Sequence, residues 1–269
     1  MILLGLGYTS SRLTRRLLLR GLPVFAVVRQ PDRFEPLAAA GLRISGFSAA
    51  ELPKSAVLVH TVPPLADAET AAIRRFILEM TPQRVVYVSA TTVYGDQTNV
   101  NAATGIDVSS DKGRRRMEEE NWLRAGPWST LIVRPAAIYG PDRGVHVRLK
   151  EGRLPRGSGL VSRIHVDDLA AVLEAGVLSD LTGAWPVADD RPCPSEEISS
   201  WCARLLRLPA RPDAATFPVA GRAVDGREIR RLLGVNLSYP DYQAGTLASL
   251  ASEHARTSEP SRAVPESGS

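Results

Sequence analysis

Gly5 and Gly7, in the stretch Gly-Leu-Gly-Tyr-Thr-Ser (residues 5–10), sit where an apolar run meets a helical pattern. That spacing suits phosphate chemistry. Gly5 permits a tight turn, and Gly7 lets backbone N–H groups approach a pyrophosphate at the helix N-terminus. The third position of such a dinucleotide fingerprint, ordinarily Gly or Ala, is Ser10, and Tyr8 and Thr9 complete the candidate cofactor turn. The second apolar run ends in Val-Val-Arg-Gln-Pro-Asp-Arg. An acid there would bind ribose hydroxyls, whereas Arg29, with Arg33 nearby, offers a partner for a 2′-phosphate, so NADP is expected over NAD. The alternative is that Arg29 is a surface residue. Beyond another apolar run, Thr61, Val62 and Pro63 are expected to line the cofactor cleft, with His60 a hydrogen-bonded strand-end residue.

A second stretch, Ser109 to Leu123, drives three arginines into three glutamates. Arg114, Arg115 and Arg116 face Glu118, Glu119 and Glu120 at i,i+4, and pairs of that kind stabilise a helix by about 0.2–0.5 kcal/mol each. Ser109, Ser110 or Asp111 is the expected cap. A solvated helix accounts for the pattern without any chemistry.

The elements that must carry these residues alternate. Apolar strands are expected at Met1–Gly5, Pro23–Arg29, Leu42–Phe47, Ala56–Val62, Arg84–Ala90 and Ser129–Pro135. Helices are expected at Ser10–Arg20, around Phe34–Ala40, at Ala68–Met80 and over the charged stretch. Near-continuous apolar strands separated by helices predict a parallel sheet covered on both faces, a Rossmann-type doubly wound α/β fold. After Pro141 the rhythm changes. Helices are expected at Asp167–Leu178, Ser195–Leu206, Arg222–Leu233 and Tyr242–Ala251, with a strand near Ala184–Asp189. The expected division is a dinucleotide-binding region over 1–141, a small, mostly helical substrate lobe interleaved with the sheet over 142–251, and a polar, disordered tail over 252–269.

Composition narrows the function classes. In 269 residues, 44% are hydrophobic and 23% charged, ordinary globular values. The net charge of +4 comes from arginine, since Lys54, Lys112 and Lys150 are the only lysines. A mild, dispersed excess suits a small anionic ligand, and without a basic-aromatic cluster nucleic acid is not expected. Cys193 and Cys202 form no CxxC pattern and read as free thiols of a reducing compartment. With no signal-peptide pattern and no run of about 18 apolar residues, a cytoplasmic protein without a membrane contact is expected. No Gly-x-Ser-x-Gly elbow points to a hydrolase, and Asp167 or Asp168 reads as a helix cap rather than a metal ligand.

Four segments, Gly5–Leu13, Val86–Asp96, Leu131–Arg143 and Ser162–Ala170, occur in this order and at suitable spacing. Together they resemble the extended branch of the short-chain dehydrogenase/reductase superfamily, the NAD-dependent epimerase/dehydratase family, over roughly residues 1–251. The resemblance implies a nicotinamide cofactor, a substrate lobe closing over a small molecule, often a nucleotide sugar, and a homodimer as one option. It also implies Ser89 and Pro135 at the cofactor, and Tyr139, Arg143 and Arg163 toward the substrate; Arg148, Arg153 and Arg156 belong to the same basic run.

The family's chemistry uses a Ser or Thr, a Tyr and a Lys in the pattern YxxxK, in which tyrosine exchanges a proton and lysine lowers its pKa from about 10. The corresponding positions here are Ala90, Lys112 and Arg116, with Gly113 and Glu120 matching the flanking pattern. All three roles are altered. Arg116 can still bind the cofactor ribose but is no proton reservoir near neutral pH. Lys112 can donate to a carbonyl while charged, and its charge favours reduced over oxidised nicotinamide. Thr91 and Tyr94, with Thr92, are the substitute hydroxyls. The resulting expectation is an atypical NAD(P)-binding oxidoreductase or epimerase acting on a small hydroxyl- or carbonyl-bearing, sugar-like substrate. The rival is a catalytically weak or inactive NADP(H)-binding sensor or docking protein.

Overall fold

Apolar β-branched runs can hide both faces only in a sheet sandwiched by helices, and that is what these runs build. The computed structural model describes residues 1–30, 34–48, 52–153, 159–208 and 221–258. In the first half lie β1 (Ile2–Leu4), α1 (Tyr8–Leu19), β2 (Phe25–Val27), α2 (Glu35–Ala39), β3 (Arg43–Ser45), β4 (Val57–His60), α3 (Asp67–Met80), β5 (Arg84–Val88), β6 (Asn99–Val100), α4 (Asp111–Arg124) and β7 (Ser129–Pro135). The second half adds β8 (Ala137–Tyr139), α5 (Val145–Lys150), β9 (Leu160–Val161), β10 (Arg163–His165), α6 (Val166–Val177), β11 (Gly183–Val187) and β12 (Cys193–Pro194). It ends with α7 (Ser195–Leu205), β13 (Ala223–Val224), α8 (Arg227–Leu233) and α9 (Tyr242–Ser258).

Seven strands form one sheet in the order β3-β2-β1-β4-β5-β7-β11, and every neighbouring pair is parallel. Strand order reverses between β1 and β4, the point where α/β sheets open a ligand crevice. Both faces are buried: Leu3, Val59, Val86 and Val133 pack toward α1 and α6. Ile2, Leu58, Val85, Tyr87 and Ile132 pack toward α3 and α4. β11 comes from the second half yet pairs with β7 from Gly183↔Leu131 to Val187↔Pro135, so the late chain is threaded into the sheet.

Three expectations change. Ala223–Val224 is a strand pairing with β6, and α8 begins only at Arg227. α9 continues to Ser258, so the first seven residues of the predicted tail are helical; the rest of that tail lies outside the described residues. The short strands β6, β8, β9, β10, β12 and β13 were not expected, because two or three residues carry no readable alternation. Among the described residues no helix is long and apolar enough to cross a membrane, and no three metal-ligating side chains converge.

α9 is pinned through one acid. Glu253 accepts from the Asp142 N–H (2.8 Å) and Lys150 Nζ (2.9 Å) and lies 2.9 Å from His146 Nε2. Burial pushes this carboxyl up, but the Asp142 N–H, Lys150 and His146 outweigh it and hold it at about 2. A folded-state value depressed below the unfolded one stabilises fully above the unfolded pKa and is lost as pH falls. Urea titrations are therefore expected to show the parent losing more stability than Glu253→Gln between an ordinary glutamate's 4.5 and about 2. Equal losses would mean that the clamp is not linked to pH.

Candidate active site

The turn from β1 into α1 has the conformation the glycines were expected to supply. Gly5 has φ +88°, and a Cβ there would come within 2.8 Å of Val62 Cγ2, so only glycine fits. Gly7 caps α1, and a Cβ added to it would meet nothing within 4 Å, leaving free space in front of the helix N-terminus. Ser10 faces inward, its Oγ accepting from the Gly7 N–H at 2.7 Å. It therefore builds the turn. Thr61 braces the same turn, donating to the carbonyls of Leu4 and Gly5 at 3.1 and 3.2 Å. Beside the turn opens a cleft of about 900 Å³ whose walls include Gly5, Gly7, Phe34, Phe47, Thr61, Val62 and Pro63. Arg29 stands on its lip and donates to Glu69 at 3.2 Å, both side chains largely exposed. An exposed pair of that kind is worth only about 0–1 kcal/mol, so a ligand phosphate can take the guanidinium over. Arg33 lies outside the described residues.

Tyr8 and Thr9 stand apart from the cleft. The Tyr8 hydroxyl donates to Pro141 O at 2.8 Å, with the Arg143 guanidinium 5.3 Å from its ring centre. Burial, against the opposing pull of Arg12 and Arg143, pushes its pKa up to about 12. Thr9 is buried. Ser89 and Pro135, at or just beyond the C-terminal ends of β5 and β7, are also buried; the Ser89 hydroxyl is donated to Glu120 at 2.6 Å.

That bond belongs to the network holding α4. Glu120 is fully buried and accepts from Arg134 Nε (3.0 Å) and Nη2 (2.6 Å), Arg124 and Ser89. Arg134 also donates to Tyr94 Oη at 3.1 Å and lies 5.2 Å from that ring. Burial lowers the Arg134 pKa, but Glu120 and Tyr94 outweigh it and hold the pKa above an ordinary arginine's. Glu119 faces α3: it accepts from Arg74 at 2.8 Å and lies 3.6 Å from His60. Burial pushes its carboxyl up, yet His60 and Arg74 hold it below the ordinary value. None of the three expected i,i+4 pairs forms. Arg114 pairs with Asp111, Arg115 donates to Leu65 O, and two of the glutamates turn inward. The helix is bolted to the sheet on one face and solvated on the other.

Its first turn sits against the substitute-hydroxyl loop. Ser110 is the cap, accepting from the Gly113 N–H at 3.1 Å. A Cβ on Gly113 would lie 2.8 Å from Thr92 O, so α4 meets the 3-10 turn Thr91–Tyr94 backbone to backbone. Lys112, one residue earlier, is exposed, and among the described residues its ammonium has no partner. Arg116 donates to Val88 O (3.1 Å) and Tyr87 Oη (3.2 Å), at the end of β5. Tyr94, one of the expected proton donors, is instead a packing residue: it is 1% exposed and its hydroxyl is committed to Arg134.

Beyond Thr91 lies a compartment of about 240 Å³ whose walls include Thr91, Gly95, Ala136, Ala137, Val161 and Arg222. Arg222 latches the loop, donating to Gln97 O (2.9 Å), Thr91 O (2.6 Å) and Gly95 O. Across Val224 a second cavity of about 590 Å³ is lined by Asn99, Asp189, Asp225 and Arg230, among others. Burial pushes the Asp189 carboxyl up to about 7, against the Arg191 N–H and Arg163.

Two expected substrate residues point elsewhere. Tyr139 is 4% exposed, donates to Asp241 O at 2.9 Å and packs on Gly245 of α9. Arg163 is 6% exposed and donates to Val161 O at 2.9 Å, so it is no part of an entrance cluster. Arg143 is exposed, whereas Arg156 lies outside the described residues. Asp167 and Asp168 do not cap α6. His165 does, while Asp168 accepts from the Ser238 and Tyr239 N–H groups. Sequence reasoning missed the Glu120–Arg134 pair and Arg222. An arginine inside the apolar run Leu131–Pro135 was the signal for the former, since a charge is buried only when paired. For Arg222, 131 residues from Thr91, no local signal exists.

Two substitutions test the scaffold by urea titration. Glu120→Ala is expected to cost about 3–5 kcal/mol, the penalty for a buried charge left without its partner, whereas exposed Glu118→Ala stays within about 0.5 kcal/mol. Gly113→Ala is expected to lose about 1–3 kcal/mol through overpacking on Thr92 O. A neutral outcome for either would mean that α4 docks more loosely than its contacts imply.

No family model matches the chain. A conserved protein of unknown function from Silicibacter pomeroyi superposes with a TM-score of 0.77 at 30% identity, covering 93% of this chain and 98% of that one. A protein assigned to the NAD-dependent epimerase/dehydratases from Methylobacillus flagellatus superposes with a TM-score of 0.74 at 25% identity, over 94% and 98%. The 3-diazoavenalumate denitrifying reductase of a Streptomyces species is 31% identical over 149 residues, 52% of this chain and 45% of that reductase. The match thus spans less than half the length of that curated relative.

Proposed function

We propose, for a chain that belongs to the extended short-chain dehydrogenase/reductase superfamily and its NAD-dependent epimerase/dehydratase family, that it is an NADP(H)-dependent reductase or epimerase of small molecules. The observation that carries the reading is the Gly5–Gly7 turn, with open space before the α1 N-terminus and a cleft of about 900 Å³ at the strand-order reversal. Bound there, the cofactor supplies or accepts a hydride. The chain's own residues do the rest. Gly7 and the α1 N-terminus would hold the pyrophosphate, Phe34 and Phe47 would flank the adenine, Arg29 would exchange Glu69 for the 2′-phosphate, and Arg116 would serve the nicotinamide ribose. The region after residue 141 would supply the substrate side of the site. Reduction is favoured over epimerisation by the name of the Streptomyces relative, a reductase, and by Lys112, whose charge opposes an oxidised ring.

One observation supports the rival reading of a cofactor-binding sensor. The seat of the family's tyrosine holds Lys112, and the neighbouring Tyr94 hydroxyl is committed to Arg134. Loss of one general acid typically costs about 10²–10⁴ in rate.

Calorimetric titration with NADPH, NADP⁺, NADH and NAD⁺ tests the proposal. NADPH is expected to bind most tightly, NADP⁺ more weakly, and Lys112→Tyr to equalise the two. Arg29→Ala is expected to weaken NADPH by about tenfold or more, the scale of one charge-assisted hydrogen-bond pair, and to leave NADH unchanged. No binding by any of the four would remove the enzyme and sensor readings together.

A further inference from the structure

We infer that Arg222 is a substrate-binding residue, and that the compartment beside Thr91 takes a small monocarboxylate with an apolar, ring-sized body. This names a substrate class for the reductase or epimerase reading above, and rests on that reading for the nicotinamide's place nearby. Three observations lead to it.

First, the Arg222 guanidinium is held but not neutralised. Its Nε donates to Gln97 O (2.9 Å), its Nη1 to Thr91 O (2.6 Å) and its Nη2 to Gly95 O. Carbonyls satisfy donors but carry no net charge. Among the described residues no carboxylate pairs with this arginine, and Asp96 and Asp107 act on it only through space. Arg227 and Arg230, a few residues on, each have such a partner, in Asp225 and Asp190. A guanidinium carries five N–H groups, and three are spent here, so one remains on each Nη nitrogen. The same three bonds hold the cation in place, which spares a ligand the cost of ordering it.

Second, the cation belongs to the wall of a space that suits one small anion. Arg222 lines the compartment of about 240 Å³ together with Ala136, Ala137, Leu160 and Val161. An apolar cavity of about 150 Å³ holds benzene, so a ring-sized body with one carboxylate fills this one. Burial lowers the Arg222 pKa, against the pull of Asp96, as it does for any cation short of water. An opposite charge offsets that cost. Asp96 is exposed in the same wall. A monoanion balances Arg222, whereas a dianion adds repulsion from Asp96 that one guanidinium does not offset. A planar carboxylate also matches the guanidinium fork.

Third, the compartment lies at the reacting end. Its wall residues Thr91 and Ala136 follow the C-terminal ends of β5 and β7, which are neighbours in the sheet. Arg116, the residue expected at the nicotinamide ribose, bonds Val88 O at the end of the same β5. A molecule held by Arg222 therefore sits at the strand ends where the hydride is exchanged.

The test uses the full chain and fluorine NMR titrations with para-fluorobenzoate and its neutral isostere para-fluorobenzamide, each with and without NADPH. The acid is expected to bind about tenfold more tightly than the amide, or better, the scale of one charge-assisted hydrogen-bond pair. Arg222→Gln should abolish that preference and Arg222→Lys should keep part of it. Loss of Arg222 also unlatches the Thr91–Gln97 loop, so Ala137→Phe supplies a second variant. Ala137 is exposed in the compartment wall, and phenylalanine there fills the space while the arginine keeps its bonds. It should weaken para-fluorobenzoate by about tenfold or more. Equal binding of acid and amide, no binding of the acid in either state, or undiminished acid binding in Arg222→Gln or Ala137→Phe overturns the site. Tighter binding of para-fluorophenyl phosphate than of the benzoate overturns the monoanion assignment. Failure of NADPH to bind by calorimetry instead removes the reductase or epimerase reading, and the benzoate titrations still decide the site.

Discussion

A carboxylate with no exposure to water must be paid back in hydrogen bonds, and Glu120 is offset by four donors from three elements. Arg134 approaches from β7, Ser89 from the end of β5, and Arg124 from the helix's own next turn. Because these strands lie side by side in the sheet, the pair fixes the height and rotation of α4 at once. Everything at the chemical end inherits that placement. Gly113 meets Thr92 O, Arg116 reaches the end of β5, and Lys112, next to Gly113, is exposed. Arg134 then spends a remaining N–H on Tyr94, so one guanidinium orders both the helix and the turn it faces.

The dinucleotide end depends on a different economy. Its turn is made of backbone and small hydroxyls: Ser10 closes on the Gly7 N–H, and Thr61 closes on the carbonyls of Leu4 and Gly5. A serine in the fingerprint's third position, which looks like a weakness in one dimension, is a turn-forming residue in three. Among the described residues, the charged pair on the lip of that cleft, Arg29 with Glu69, is exposed and therefore exchangeable. A buried, fixed ion pair under α4 and an exposed, exchangeable one beside the glycine turn thus differ in kind.

Much of this was legible in the chain. Repeated β and helical runs disclosed the sheet, its parallel sense and its glycine turn, because those features rest on local periodicity and on residues with special backbone freedom. Ser129–Pro135 was read to the residue. Where the reading failed, the deciding contact was remote. Arginine and glutamate four apart look like helix-surface partners, but Glu119 and Glu120 found Arg74 and Arg134 instead, 45 and 14 residues away. Tyr94, Tyr139 and Arg163 carried polar groups that read as functional, yet each satisfies a buried neighbour. The polar atom alone does not say whether it faces substrate or protein.

Arg222 reaches the Thr91–Gln97 loop from the far side of the chain and grips three of its carbonyls. During synthesis from the N-terminus, the segments of the sheet up to β7 and the charged helix are made before residue 222. Until then the Thr91–Gln97 loop lacks its latch. The nucleotide half also waits on the late chain, since α6 packs on α1 and β11 completes the sheet.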